Sequence, residues 1–185
     1  MLIQNQLEPF DANVYFHTNR NVDIAIIKLS EKVSQVSENG TGKFKLSEII
    51  SQGDGISLDT TLVGFGIETF FYGFPLTNMG TEALGIKFPL VKNAVLSGMV
   101  KYNGVDVLVL DGHNNRGFSG GPVVVYDTSK KKMCLIGVIS GYFPESRSVQ
   151  YKGDRLSFDE NSGIILCYGR QYIEEIFNMH KKDLR

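Results

Sequence analysis

An all-β fold closed by a single helix at the C-terminus is what this 185-residue sequence predicts, and three observations predict it. Segments rich in β-branched and aromatic residues recur along the chain between clusters of Gly, Asn, Asp and Ser. Helical periodicity is concentrated in the tail. Strand-like and helix-like segments do not alternate, which argues against a parallel α/β sheet.

The strand-like segments, in order, are residues 13–18 (NVYFHT), 23–29 (DIAIIKL), 61–75 (TLVGFGIETFFYGFP), 105–112 (VDVLVLDG), 122–127 (PVVVYD), 132–142 (KMCLIGVISGY) and 162–169 (SGIILCYG). DTSKKK, between the fifth and sixth, is turn chemistry and predicts a hairpin from 122 to about 142, with Lys130–Lys132 as its solvated tip. In RQYIEEIFNMHKK, Ile173, Ile176, Phe177 and His180 recur at helical spacing. Glu174 and Glu175 come early in that segment and Lys181 and Lys182 late, as the helix dipole favours. Residues 31–57 are polar and rich in Gly and Ser, and read as a linker or surface loop. They divide the chain into a short front section, 1–57, and a longer back section, 58–185. Internal repeats and low-complexity tracts are not evident.

Composition excludes several function classes. At 42% hydrophobic and 21% charged residues, the chain has the profile of an ordinary globular domain. The formal charge of −1 and the lack of a basic stripe argue against nucleic acid as a partner. No apolar run approaches the ~18 residues a membrane span needs. The N-terminal MLIQNQLEPFDAN lacks a basic region followed by an apolar stretch, so a secretory leader is not expected and a cytoplasmic location is. Cys134 and Cys167 lie in apolar strand-like segments and are expected as buried free thiols. No cofactor or metal is expected.

The most informative stretch is NNRGFSGGPVVVYD, residues 114–127, where a serine sits among glycines ahead of a valine run. Gly-x-Ser-x-Gly also describes the nucleophile elbow of α/β hydrolases, and the order Ser119, Asp159, His180 would suit that fold. The elbow, however, requires a helix directly after the serine. Gly-Gly-Pro followed by Val-Val-Val-Tyr is strand-forming sequence instead.

Gly117-Phe118-Ser119-Gly120-Gly121-Pro122 resembles the Gly-x-Ser-Gly-Gly-Pro signature of the trypsin/chymotrypsin-like serine proteases, in particular their bacterial branch. NVDIAIIKL is similar to the family's aspartate-bearing segment, which makes Asp23 the counterpart of the catalytic aspartate. Asp23 and Ser119 are 96 residues apart, against roughly 90 to 95 in the family. FFYGFP and LIGVISGY resemble two further family strands, and the terminal helix is a family feature. The likeness covers residues 13–185 and implies a double Greek-key β-barrel whose first barrel is incomplete in this chain.

The resemblance implies a serine endopeptidase in which Ser119 attacks the scissile carbonyl and the N–H groups of Gly117 and Ser119 form the oxyanion hole. Gly117 frees the turn that aims its amide, and Gly120 and Gly121 leave room for backbone behind the nucleophile. His113 falls at the base of the specificity pocket, where an imidazole favours an acidic substrate side chain; DGHNNR is equally good turn sequence. Ser140, Gly141 and Tyr142 match the strand edge that pairs with substrate backbone, and Gly163 lines the same pocket. Phe118 stands where the digestive enzymes carry an aspartate that pairs with a freed N-terminus, so activation by N-terminal cleavage is not expected.

One triad member has no counterpart. In the family the catalytic histidine precedes the aspartate by roughly 45 residues, and only 22 residues precede Asp23. His17 reads as a solvated loop histidine and His180 as a half-buried helical residue. Two classes of function therefore stand: a trypsin-like serine endopeptidase, inactive in this chain alone, and a non-catalytic protease-like module that binds peptides. The expected partner is a peptide or protein substrate, with another chain as a candidate cover for the incomplete first barrel.

Overall fold

The computed structural model describes residues 12–29, 32–37, 40–45, 64–75 and 89–184. Among these residues ten strands run in chain order: β1 (Ala12–Phe16), β2 (Ala25–Leu29), β3 (Lys32–Ser37), β4 (Gly40–Lys45), β5 (Glu68–Gly73), β6 (Leu90–Tyr102), β7 (Val105–Asp111), β8 (Pro122–Asp127), β9 (Lys132–Tyr151) and β10 (Asp154–Gly169). Two helices follow, α1 (Arg170–Met179) and the single turn α2 (Lys181–Leu184).

β5 to β10 close into an antiparallel six-stranded barrel in the order β10-β7-β6-β5-β8-β9. β5, β6 and β7 form a meander, and the chain then crosses to the far side of β5 to begin β8, a Greek-key connection. That crossing, residues 112–121, carries the Ser119 motif. Alternation explains the closure: in β5, Thr69, Phe71 and Gly73 are buried while Glu68 is exposed. The interior is filled by Phe71, Leu96, Leu108, Leu110, Phe118, Val123, Val125, Ile136, Ile139 and Ile165.

A second apolar cluster lies outside the barrel wall. Tyr172, Ile173 and Ile176 on one face of α1 pack with Val105, Val107, Leu166 and Tyr168 of β7 and β10, and with Val22 and Ile24 beside the β1–β2 hairpin. The helix is therefore held by burial of an amphipathic face, each such side chain contributing ~1.5–3 kcal/mol. The Tyr172 hydroxyl accepts the Asp106 N–H at 3.0 Å and donates to the Asp106 carbonyl at 2.9 Å, which fixes the helix against β7.

Several sequence expectations change. Residues 90–102, not expected as a strand, form β6, and β9 and β10 run on far beyond the segments expected, to Tyr151 and back to Asp154. LVKNAVLSGMVKY mixes polar residues into the strand, which masked its period. In the segment expected as a linker, β3 and β4 pair as a hairpin; residues 46–57 lie outside the described residues, as do 1–11 and the start of the 61–75 segment. The dipole argument does not hold for α1, because its first turn has no acidic residue and its last turn no basic one; Lys181 and Lys182 belong to α2. Cys134 and Cys167 are both buried and unbridged, and burial pushes the Cys167 thiol well above its ordinary range. Among the described residues, no helix is long and apolar enough to cross a membrane.

Candidate active site

The Ser119 turn is sewn to the barrel by three hydrogen bonds and closed on itself by a fourth. Phe74 N–H, just past β5, donates to Gly117 O at 2.9 Å, and Gly121 N–H closes the turn onto Phe118 O at 2.9 Å. Ile139 of β9 accepts from Gly120 N–H at 2.8 Å and donates to Gly121 O at 2.9 Å. Phe118 is the anchor: its ring is fully buried and meets Phe71 edge-on at 5.1 Å. With Phe118 inside, the flanking Gly117 and Ser119 are exposed.

The glycines do different things. Gly117 has φ +98°, and a Cβ there would lie 2.2 Å from Phe74 O, so both conformation and space demand glycine. A Cβ on Gly121 would lie 1.9 Å from Tyr72 O. Gly120 meets nothing within 4 Å; its φ of +81° is what requires glycine, and the expectation of close packing behind it is corrected.

Among the described residues, the Gly117 and Ser119 N–H groups carry no hydrogen bond, nor does Ser119 Oγ, although the neighbouring Phe118, Gly120 and Gly121 amides are all engaged. Two free amides flanking an exposed hydroxyl are donors available to an oxyanion. Beside them lies an open pocket of about 470 Å³, bounded by Tyr72, Phe74, Pro89, Gly117, Ser119 and Pro122.

His113, Ser140, Gly141, Tyr142 and Gly163 do not line that pocket. They gather on the β9–β10 side of the turn. Ser140 follows Ile139 at a bulge, since Ile139 pairs with Cys167 and Gly141 with Leu166. Gly163, at φ +80°, lies in the register break between the pairs Asn161↔Pro144 and Ile165↔Tyr142, and its carbonyl accepts Gly112 N–H at 2.9 Å, next to His113. His113 itself is exposed.

Lys92 of β6 was missed in the sequence. Its Nζ donates to His113 O at 2.7 Å and Asn115 Oδ1 at 2.6 Å, and stands 5.5 Å from the Phe118 ring centroid. Partial burial holds its ammonium below the usual lysine range. It positions the loop leading into the nucleophile turn, as does Asn161, whose side-chain amide donates to Asn114 O. Only recognition of β6 as a strand adjoining this loop would have revealed Lys92.

The remaining candidates are not joined to Ser119. Asp23 is exposed between buried Val22 and Ile24, and among the described residues makes no hydrogen bond or ion pair. His17 is not the solvated loop histidine expected from the sequence: its side chain is 5% exposed and bonded to Glu175 at 2.7 Å. His180 caps α1 and packs on Tyr15 with centroids 5.0 Å apart. Among the described residues, no cluster of three or more His, Cys, Asp or Glu could hold a metal ion. No protein-family model matches the chain, and neither does any curated protein.

Proposed function

We infer that the chain carries the nucleophile-bearing half of a serine endopeptidase of the trypsin-like double-barrel type, in which the front section, with the β1–β2 hairpin, belongs to the first barrel. The observation that carries this reading is the turn itself: an exposed Ser119 between two unbonded amides, held by glycines whose replacement the backbone forbids. In the reaction, Ser119 Oγ bonds to the scissile carbonyl carbon as its proton passes to a base. The carbonyl oxygen becomes an oxyanion held by Gly117 and Ser119 N–H, and collapse expels the amine to leave an acyl-enzyme that water hydrolyses. Among the described residues no imidazole bonds to Ser119, so these residues supply the nucleophile and oxyanion site without a proton acceptor.

Loss of the histidine from such a constellation costs on the order of 10⁶ in turnover. The chain alone is therefore expected to label slowly with a fluorophosphonate probe, at Ser119 only and not in Ser119→Ala. Modification spread over other residues, or none at Ser119 after prolonged exposure, defeats the assignment. Rapid stoichiometric labelling instead reveals a base beside Ser119. A second reading, a non-catalytic peptide-binding module, is favoured by the side of β9 from Ser140 to Tyr142, where no strand pairs among the described residues.

A further inference from the structure

β9 outruns the strand beside it. β8 covers one side of β9 from Lys132 to Val138, and Ile139 is still bonded on that side to Gly120 and Gly121. From Ser140 to Tyr151 no strand lies there among the described residues, whereas the other side of β9 stays paired with β10 out to Tyr151↔Asp154. Alternate residues therefore present N–H and C=O groups along an open edge roughly 40 Å long at about 3.3 Å per residue. One chemistry satisfies such an edge: an extended polypeptide exchanging main-chain hydrogen bonds.

The arm formed by residues 144–161 is also two-faced. Arg147, Val149 and Tyr151 lie opposite Phe158, Leu156 and Asp154 on one face. Val149, Tyr151, Leu156 and Phe158 are all half exposed or more, and Arg147 braces them through Glu145 and Glu160. The reverse face is polar, with Ser146 bonded to Asp159 and Arg155 to Ser148. A two-stranded ribbon is marginal in water by itself, and a third strand supports it.

We propose that the free edge of β9 along the arm, from Phe143 to Tyr151, prolongs the Ser140–Tyr142 edge, which the resemblance already implies for substrate backbone, into a track for the more distant part of an extended polypeptide substrate that precedes the bond presented to Ser119. This rests on the reading of Ser119 as the nucleophile. A strand on this edge takes up the line of β8, antiparallel to β9, which brings its C-terminal end to the Gly117–Gly121 turn and runs its N-terminal part out along the arm. Its alternate side chains meet Val149 and Tyr151, so the track selects unfolded segments with apolar residues at every second position.

The test measures binding of a fluorescein-labelled peptide of about twelve residues, alternating valine and threonine with a lysine at each end, beside its C-terminal four-residue fragment. The long peptide should bind at least about tenfold tighter. N-methylation of alternate amides in its N-terminal half should erase the difference, and so should replacing residues 145–160 with an Asn-Gly turn between the paired Pro144 and Asn161. The short peptide and slow labelling of Ser119 should be unaffected by the shortened arm. Equal affinity of the two peptides, or a length advantage that survives N-methylation, overturns the track while leaving the Ser119 assignment intact. Failure of both peptides to bind, without Ser119-specific labelling, overturns both.

Discussion

His17 Nε2 lies 2.7 Å from Glu175 Oε2, tying the loop after β1 to α1 across almost the whole chain. The opposite nitrogen, Nδ1, accepts the Asn19 N–H at 3.0 Å, so the neutral ring carries its proton on Nε2 and donates it to Glu175. The Tyr172 ring closes the site edge-on at 5.6 Å. Both imidazole nitrogens are thus committed to a structural bond. His17→Ala should lower stability by about 1 kcal/mol, modest because Glu175 is half exposed. Its rate of Ser119 labelling should match that of the parent chain. A labelling rate that collapses in a fully folded His17→Ala variant would show that His17 serves the serine.

Phe118 fixes the depth of the nucleophile turn. Its ring is packed on Phe71 and beneath Lys92, with no exposed surface. Phe118→Ala should destabilise the barrel by about 3–5 kcal/mol, read as a shift in the denaturant midpoint, and should disorder the donors at Gly117 and Ser119. A change below 1 kcal/mol would mean that the turn is not anchored through this ring.

Gly120 and Gly121 should respond unequally to alanine. Gly120→Ala strains φ alone and should cost about 1–2 kcal/mol with the chain still folded. Gly121→Ala drives a methyl into Tyr72 O, a backbone atom that cannot swing aside, so it should cost more and displace the Ser119 turn. Thermal melts of the two variants, each paired with Ser119 labelling, check the ranking.

Asp127 makes the β8–β9 hairpin acid-sensitive. It is buried at the end of β8, and hydrogen bonds from the Ser129 hydroxyl at 2.6 Å and from the Ser129 and Lys130 amides hold its carboxyl below the usual carboxylate range. A carboxylate with a lowered native pKa binds fewer protons folded than unfolded. Its contribution is therefore complete above the ordinary value of about 3.9 and is lost as pH falls through the lower native value. Asp127→Asn should be less stable at neutral pH and should lose part of the parent's decline in stability below about pH 4. Parallel slopes for the two proteins in that range would assign the acid sensitivity elsewhere.

What the sequence determined by itself was local in origin. Val123–Val125 and Tyr126 after Gly-Gly-Pro could only continue as a strand, DTSKKK could only turn, and Ile173 and Ile176 at helical spacing marked the buried face of α1, although Phe177, read with them, is exposed and Tyr172 completes the face instead. Ser119 and its glycines were legible for the same reason: Gly117 and Gly120 adopt positive φ in their own turn, which composition alone signals. Tertiary structure decided whatever depended on residues distant in the chain. It buried His17 against Glu175, laid Lys92 under the loop before Ser119, and drew residues 143–161, polar enough to read as loop, into the β9–β10 arm. The physical reason is that strand pairing and ion pairing are set by partners rather than by local preference. A polar segment becomes a strand when another edge satisfies its amides, and a histidine becomes structural when a carboxylate from a distant helix reaches its proton.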